Sequence, residues 1–197
     1  MIVSVNGLPG VGKSAVILRM ATMLNWQPWT EDPEDFPLVG SATGADSNRV
    51  FVNQVDFLVQ KMGQAVRMQN STIPCLVEVD WMTCHIQWSA ALRRTARISM
   101  DHSTCLDQIY SAALGGGVPG PQRAYYLHAP LDVVISRIES RGRPGETLDI
   151  DFLAELERVD LNDLAVTLSC DVPIIDAERT VDDIAASIVA DLQAWLP

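Results

Sequence analysis

Apolar residues along this chain alternate between short, nearly unbroken runs and helical spacings. Met1 to Val5 is the first run, and Val16, Ile17, Met20, Ala21 and Leu24 then recur at helical intervals. The change of period repeats. Phe51, Val55, Leu58, Met62 and Val66 share one face of a second predicted helix, and Cys75 to Val79 reads as a buried strand that ends in acid. A helical stretch follows from about Ile86 to Tyr110; Ala124 to Leu127 is a strand and Leu131 to Ser140 a helix. Val172 to Ile175 is the last strand, before a helix that carries Ile184, Ile188, Leu192 and Trp195. The segment from Asn25 to Ala45, rich in Pro, Trp and acid, opens on a short strand, and Gly115 to Pro121 is a loop. Strands alternating with helices predict an α/β fold with a parallel sheet, because parallel neighbours need a long crossover. No repeat or linker divides the chain, so residues 1–197 are expected to form one domain.

Directly after the first strand comes Gly7-Leu8-Pro9-Gly10-Val11-Gly12-Lys13-Ser14, the spacing GxxxxGK[ST]. Glycines let a backbone wrap a polyphosphate with its N–H groups turned inward, and the helix behind adds its positive end. In such a loop Lys13 reaches the β- and γ-phosphates and Ser14 ligates Mg²⁺. The strand before and the helix after supply the context that the motif requires.

Charge limits the partners. Lys and Arg number 14 against 25 Asp and Glu, a net charge of −11, which argues against a nucleic-acid surface. No apolar run reaches membrane-spanning length. Cys75, Cys84, Cys105 and Cys170 form no CxxC pair, and His85, His102 and His128 are scattered, so neither a zinc site nor a disulfide framework is expected. Reduced thiols and a first strand in place of a leader point to a cytoplasmic protein.

Two further segments carry chemistry. Arg137, Arg141 and Arg143 cluster in an otherwise acidic chain, with the first two on one helical face and Gly142, Pro144 and Gly145 breaking the helix behind them. Guanidinium groups on such a lid suit a transferring phosphoryl group, whose charge spreads over several oxygens. Glu78-Val79-Asp80 closes the central strand, where ligands of open α/β sheets bind. A carboxylate there can hold Mg²⁺ or take a proton from an attacking hydroxyl; either both acids face the cleft or one of them caps the next helix.

Together these features resemble the deoxynucleoside kinases, within the thymidylate-kinase-like group of phosphate-loop kinases. The resemblance covers most of the chain. It rests chiefly on Tyr126-Leu127-His128-Ala129-Pro130, then Arg137-Ile138, Arg141-Gly142-Arg143 and Glu146, then Ile150-Asp151-Phe152-Leu153 with Leu156. Val172-Pro173-Ile174-Ile175-Asp176-Ala177-Glu178 and Trp29-Thr30-Glu31-Asp32-Pro33 add to it. It implies a three-layer α/β/α fold with a five-stranded parallel sheet, ATP and Mg²⁺ as cofactors, and a homodimer. It also implies roles. The loop Gly7 to Ser14 holds ATP, with Ser14 and Glu78 on the metal, and Glu78 is the general base on a sugar 5′-hydroxyl. Arg137 and Arg141 act on the transferring group beside Lys13, and Arg143 completes the lid. Glu146 receives the 3′-hydroxyl, Glu31 lies near the 5′ position, and Asp176, Ala177 and Glu178 flank the adenine.

The chain departs from that family at the acceptor end. The family's Arg after the catalytic acid is Val79 here, and its base-reading Gln falls at Val52. Gln54, two residues on, is turned by about 200° around the helix, and is the substitute candidate. Trp81 and Trp88 are candidates for stacking on a base. The first reading is therefore a kinase of a 2′-deoxynucleoside. A nucleoside monophosphate kinase, with Arg49, Arg93, Arg94 and Arg97 as extra cations, and a kinase-like protein without turnover are the alternatives.

Overall fold

The computed structural model describes residues 1–31, 46–142 and 148–196. Among them, β1 (Ile2–Gly7), β2 (Gln27–Trp29), β3 (Cys75–Glu78), β4 (Arg123–His128) and β5 (Ile174–Asp176) form one sheet in the order β2-β3-β1-β4-β5. Every pairing is parallel. β1 is buried along its whole length, which is why its sequence reads as a run and does not alternate. The register sets Val5 opposite Glu78 and Gly7 opposite Leu127, so the phosphate loop and the acid end of β3 leave the sheet at one edge.

Helix α1 (Lys13–Leu24) starts at Gly12 and stops at Asn25, whose left-handed backbone returns an N–H to the Ala21 carbonyl. Its buried face of Val16, Ile17, Met20 and Ala21 is the one the spacing predicts, and it packs beneath β3 and against the last helix, α9 (Val181–Trp195). In α9, Ile184, Ile188 and Leu192 are buried as expected, while Trp195 stays partly exposed beside Arg123.

Two expectations need correction, and two elements are added. Helix α2 (Ser47–Gln69) buries Val50, Gln54, Phe57, Leu58, Lys61, Ala65 and Met68, a face turned from the apolar one read off the sequence. Val66 is exposed, as are Val52 and Val59. The physical reason is that the side of α2 facing the cleft is partly polar, so hydrophobicity alone misplaces its inner face. The single long helix expected from Ile86 to Tyr110 is broken. A turn, α3 (Trp81–Thr83), runs through a wider π-helical segment (Cys84–Ser89) into α4 (Ala90–Arg94). Ala96 then takes a left-handed φ of 52°, and Ser99 accepts from the His102 N–H to start α5 (Met100–Gly115). Finally, α6 (Leu131–Arg141) is followed by α7 (Ile150–Glu157) and by α8 (Leu161–Leu168), which the sequence pattern left unassigned. Asp149 and Asp160 cap these last two.

The four cysteines are free thiols, and burial pushes the Cys84 thiol well above its ordinary range. At the sheet edge remote from the phosphate loop, Arg123 Nη2 and the Tyr125 hydroxyl both donate to Asp191 Oδ2, each at 2.7 Å. The Arg123 bond first, and the Tyr125 bond second, hold the Asp191 carboxyl below its usual range. A depressed carboxylate stabilises the fold above its unfolded pKa, about 4, and that contribution is lost as pH falls through the folded value. Asp191→Asn is therefore expected to lower the melting temperature at neutral pH, with the difference from the native chain closing below about pH 4. A difference that persists unchanged in acid would show that packing, and not charge, joins these residues.

Candidate active site

The glycines of the loop stand where a side chain has no place. A Cβ on Gly7, whose φ is 136°, would lie 2.5 Å from the Leu127 carbonyl oxygen. One on Gly12, at φ 107°, would meet nothing within 4 Å. The loop is thus tight against β4 on its inner side and open where α1 begins. No side chain caps the first turn of α1, and no acid lies in it, so its N–H groups are presented to an anion. Leu8, Gly10 and Val11 close the loop, with Leu8 and Val11 buried and the Val11 N–H bonded to the Leu8 carbonyl at 3.3 Å. Pro9 lies between them on the turn.

Lys13 folds over this loop: Nζ donates to the Leu8 carbonyl at 3.0 Å and lies 3.8 Å from Glu78 Oε1. The Ser14 hydroxyl donates to Glu78 Oε2 at 2.7 Å. A hydroxyl and a carboxylate in contact at the mouth of a phosphate loop are hard oxygen donors. They suit Mg²⁺, which keeps several waters and takes one or two carboxylates plus phosphates. The residues present therefore fit a Mg²⁺–nucleotide.

The bend that aims Glu78 is strained. Val79 has φ 50°, costly for a β-branched residue by about 1–3 kcal/mol. Its N–H bonds the Val5 carbonyl at 3.2 Å and its side chain is buried in the core. One residue on, Asp80 is fully engaged: Oδ1 accepts from the N–H groups of Met82 and Thr83, and Oδ2 from the Thr83 hydroxyl. Of the two acids at the strand end, Glu78 faces the loop and Asp80 is a helix cap.

A second carboxylate joins Glu78. The Glu31 N–H donates to Glu78 Oε2 at 3.3 Å, which brings the end of β2 beside the end of β3. Glu31 Oε1 lies 2.8 Å from the ammonium of Lys61, a side chain only 1% exposed. Lys61 also donates to the Glu78 carbonyl. Sequence reasoning missed Lys61. The available signal was its spacing of seven from Gln54, which puts two polar residues on one face of α2.

The remaining expected residues divide. Gln54 is buried, and its amide nitrogen donates to Ser89 Oγ at 3.2 Å and to Cys84 Sγ at 3.6 Å, on the cleft face of α2. Trp81 is a correction: it is buried, its indole N–H donates to the Pro119 carbonyl at 2.8 Å, and its ring packs on Tyr110. It has no surface left for a base. Trp88, edge-on to Phe57 and Phe152, keeps a partly exposed ring. Arg137 donates to the carbonyls of Val11 and Ala177, at 3.2 and 2.9 Å. These two bonds link the phosphate loop to the β5–α9 turn. In that turn the Ala177 N–H donates to the His128 carbonyl, and Asp176 Oδ1 accepts from the Glu178 N–H. Arg141 stands exposed on the last turn of α6. Arg143 and Glu146, like Asp32 and Pro33, lie outside the described residues.

A family model described as deoxynucleoside kinase matches residues 3–193. The chain belongs to the deoxynucleoside kinase family. Members of this family transfer a phosphoryl group to a nucleoside, so the chain is a nucleotide-binding kinase. Its fold is also that of solved structures of deoxyadenosine kinase from M. mycoides, which share 18% sequence identity and align over 98% of this chain and 100% of theirs. The TM-score is 0.84 for the structure with dATP bound, 0.81 for that with the products dCMP and a flexible dCDP, and 0.79 for that with dCTP. No curated protein matches the chain. Among the described residues no helix is long and apolar enough to cross a membrane.

Proposed function

We propose that this kinase transfers the γ-phosphoryl group of ATP to the 5′-hydroxyl of a 2′-deoxynucleoside. The observation that carries the reading is the meeting of Lys13, Ser14, Glu78 and Glu31 at the carboxyl ends of β1, β2 and β3. The loop from Gly7 to Ser14 binds the triphosphate through its N–H groups, and Lys13 places a point charge on it. Ser14 and Glu78 hold Mg²⁺, which when bound offsets charge on the phosphate oxygens. Arg137 keeps the loop in register with the turn at Asp176, Ala177 and Glu178, on the adenine side. Glu146 and Arg143 complete the lid, and Gln54 reads the base.

Geometry favours Glu31 over Glu78 as the base. Both oxygens of Glu78 face loop residues, and its side chain is 7% exposed. Glu31 is 27% exposed and lies next to it, so a hydroxyl can reach it. Proton removal needs that reach before it needs a suitable pKa.

A nucleoside is favoured over a monophosphate as acceptor because three of the four candidate cations are engaged elsewhere. Arg93 lies 3.8 Å from Asp107, Arg94 bonds Glu155 at 2.9 Å and Arg97 pairs with Asp149. Arg49 is exposed at the start of α2. A dianionic 5′-phosphate set beside Glu31 and Glu78 would find the two nearby ammoniums, Lys13 and Lys61, already facing carboxylates. The reading includes a single cytoplasmic domain, supported by four free thiols, and a homodimer, supported by the exposed Val52, Val59 and Val66 along α2.

The test is a panel of deoxynucleosides, ribonucleosides and their 5′-monophosphates, each assayed with ATP and Mg²⁺. The deoxynucleosides should give the highest kcat/KM; a monophosphate in first place, or no turnover on any of them, overturns the reading. Arg141→Ala should lower kcat by about tenfold to a hundredfold, the loss of one charge-assisted hydrogen bond. Acceptor KM should move less, because the charge is greatest in the transition state. A change confined to acceptor KM would make Arg141 a binding residue.

A further inference from the structure

Lys61 pairs with Glu31, and it comes from an unexpected element. The end of β3 supplies no cation of its own, since the residue after Glu78 is Val79, buried in the core. From the middle of α2, Lys61 instead reaches both acidic groups. Its ammonium lies 2.8 Å from Glu31 Oε1 and donates to the main-chain carbonyl of Glu78. Phe57, one turn earlier, sets its ring 5.4 Å from the same ammonium. An ammonium so nearly shut off from water is tolerated only where fixed partners replace its hydration. A compact ammonium on a flexible stem fits the narrow gap between the Glu31 side chain and the Glu78 carbonyl.

We infer that Lys61 is a positioning residue for phosphoryl transfer: it holds the Glu31 carboxylate against Glu78 and offsets their joint charge, leaving Glu31 Oε2 to meet the acceptor hydroxyl. The inference rests on the nucleoside kinase reading above and adds to it the source of the positive charge at the acceptor end. Glu31 lies two residues past β2, a strand of only three residues (Gln27–Trp29). Its own backbone contact to Glu78 is a single 3.3 Å bond. Lys61 is anchored in a helix of 23 residues, so the link to Lys61 ties a weakly held acid to a rigid element. The same pairing accounts for the inward position of Lys61 on α2, whose Val52, Val59 and Val66 lie outward.

The experiment is a double-mutant cycle on kcat, with ATP and the best deoxynucleoside both saturating. Lys61→Met should lower kcat by about a hundredfold, the effect of a displaced reacting group. KM for ATP should stay within about threefold, because the phosphate loop is untouched. In the Glu31→Gln background the same Lys61 change should cost less than about threefold, since a residue that acts through Glu31 has nothing left to position. Lys61→Arg should recover most of the loss, whereas Lys61→Gln, which keeps a donor but not the charge, should not. Equal losses in both backgrounds, or a Met chain as active as the native one, would overturn the inference. If the Met chain does not melt cooperatively, the Gln and Arg chains decide: equal kcat in these two would also overturn it. A native chain without kinase activity on any nucleoside sinks the functional reading itself, which separates the two failures.

Discussion

Lys13→Ala is expected to reduce turnover by about 10²–10³, the cost of removing one preorganised donor to developing charge. The structure refines the reason. Lys13 is the first residue of α1, and Nζ already lies over the loop, bonded to the Leu8 carbonyl. Its charge therefore sits in place before the triphosphate arrives, and little reorganisation is needed to move it onto phosphate oxygens. The same ammonium faces Glu78 at 3.8 Å, so the alanine chain also leaves a buried carboxylate short of its cation. Ser14 still donates to that carboxylate at 2.7 Å, and the core beneath α1 is unchanged, so cooperative melting should persist at a somewhat lower temperature. Turnover and melting have to be measured together. Near-native turnover in a folded alanine chain would remove the phosphate site from this loop.

Glu31→Gln should lower kcat by about 10²–10⁴, the usual contribution of a general base, with ATP binding almost unaffected. Glutamine keeps the shape and the contact to Lys61 through its carbonyl oxygen, but it cannot take a proton at neutral pH. Glu78→Gln should behave differently. Glu78 accepts from Ser14 and faces Lys13, so its loss should first weaken the nucleotide and raise the Mg²⁺ concentration needed for half-maximal rate. The deciding measurement is kcat for both chains at saturating Mg²⁺ and ATP, with nucleotide affinity measured separately by calorimetry. If excess Mg²⁺ restores Glu78→Gln and leaves Glu31→Gln impaired, the base is Glu31. If Glu31→Gln keeps its rate and Glu78→Gln does not recover, the base is Glu78, as the strand-end position first suggests.

Both predictions show where local sequence and tertiary packing divide the site. The loop from Gly7 to Ser14 was legible because its chemistry is contiguous: strand, glycines, lysine, hydroxyl and helix follow one another, and the backbone itself binds the ligand. Helix α1 was legible for a similar reason, since its apolar spacing and its stop at Asn25 are local. The resemblance to the deoxynucleoside kinases held over residues 3–193.

Other features were not visible in the chain, because partners distant in sequence decide them. Asp80 could face the cleft or cap a helix, and only the left-handed turn at Val79 decided for the cap. Trp81 lies in the core because the Pro119 carbonyl, far along the chain, accepts its N–H. Arg137 sits on the carbonyls of Val11 and Ala177, a contact made by three separate elements.

What the sequence by itself determined was the reaction half of the protein: a phosphate loop, an acid at the end of a central strand, and an α/β order of elements that brings them to one edge of the sheet. These follow from short-range periodicity and from motifs whose atoms act within a few residues of each other. What only the tertiary structure decided was the acceptor half. Helix α2 turns Gln54 and Lys61 inward against the apolar pattern, because a buried ammonium with Glu31 and the Glu78 carbonyl as fixed partners can occupy a position that hydropathy assigns to a hydrocarbon. Those partners lie just past β2 and at the end of β3, so no window of sequence contains both the charge and the reason it is buried.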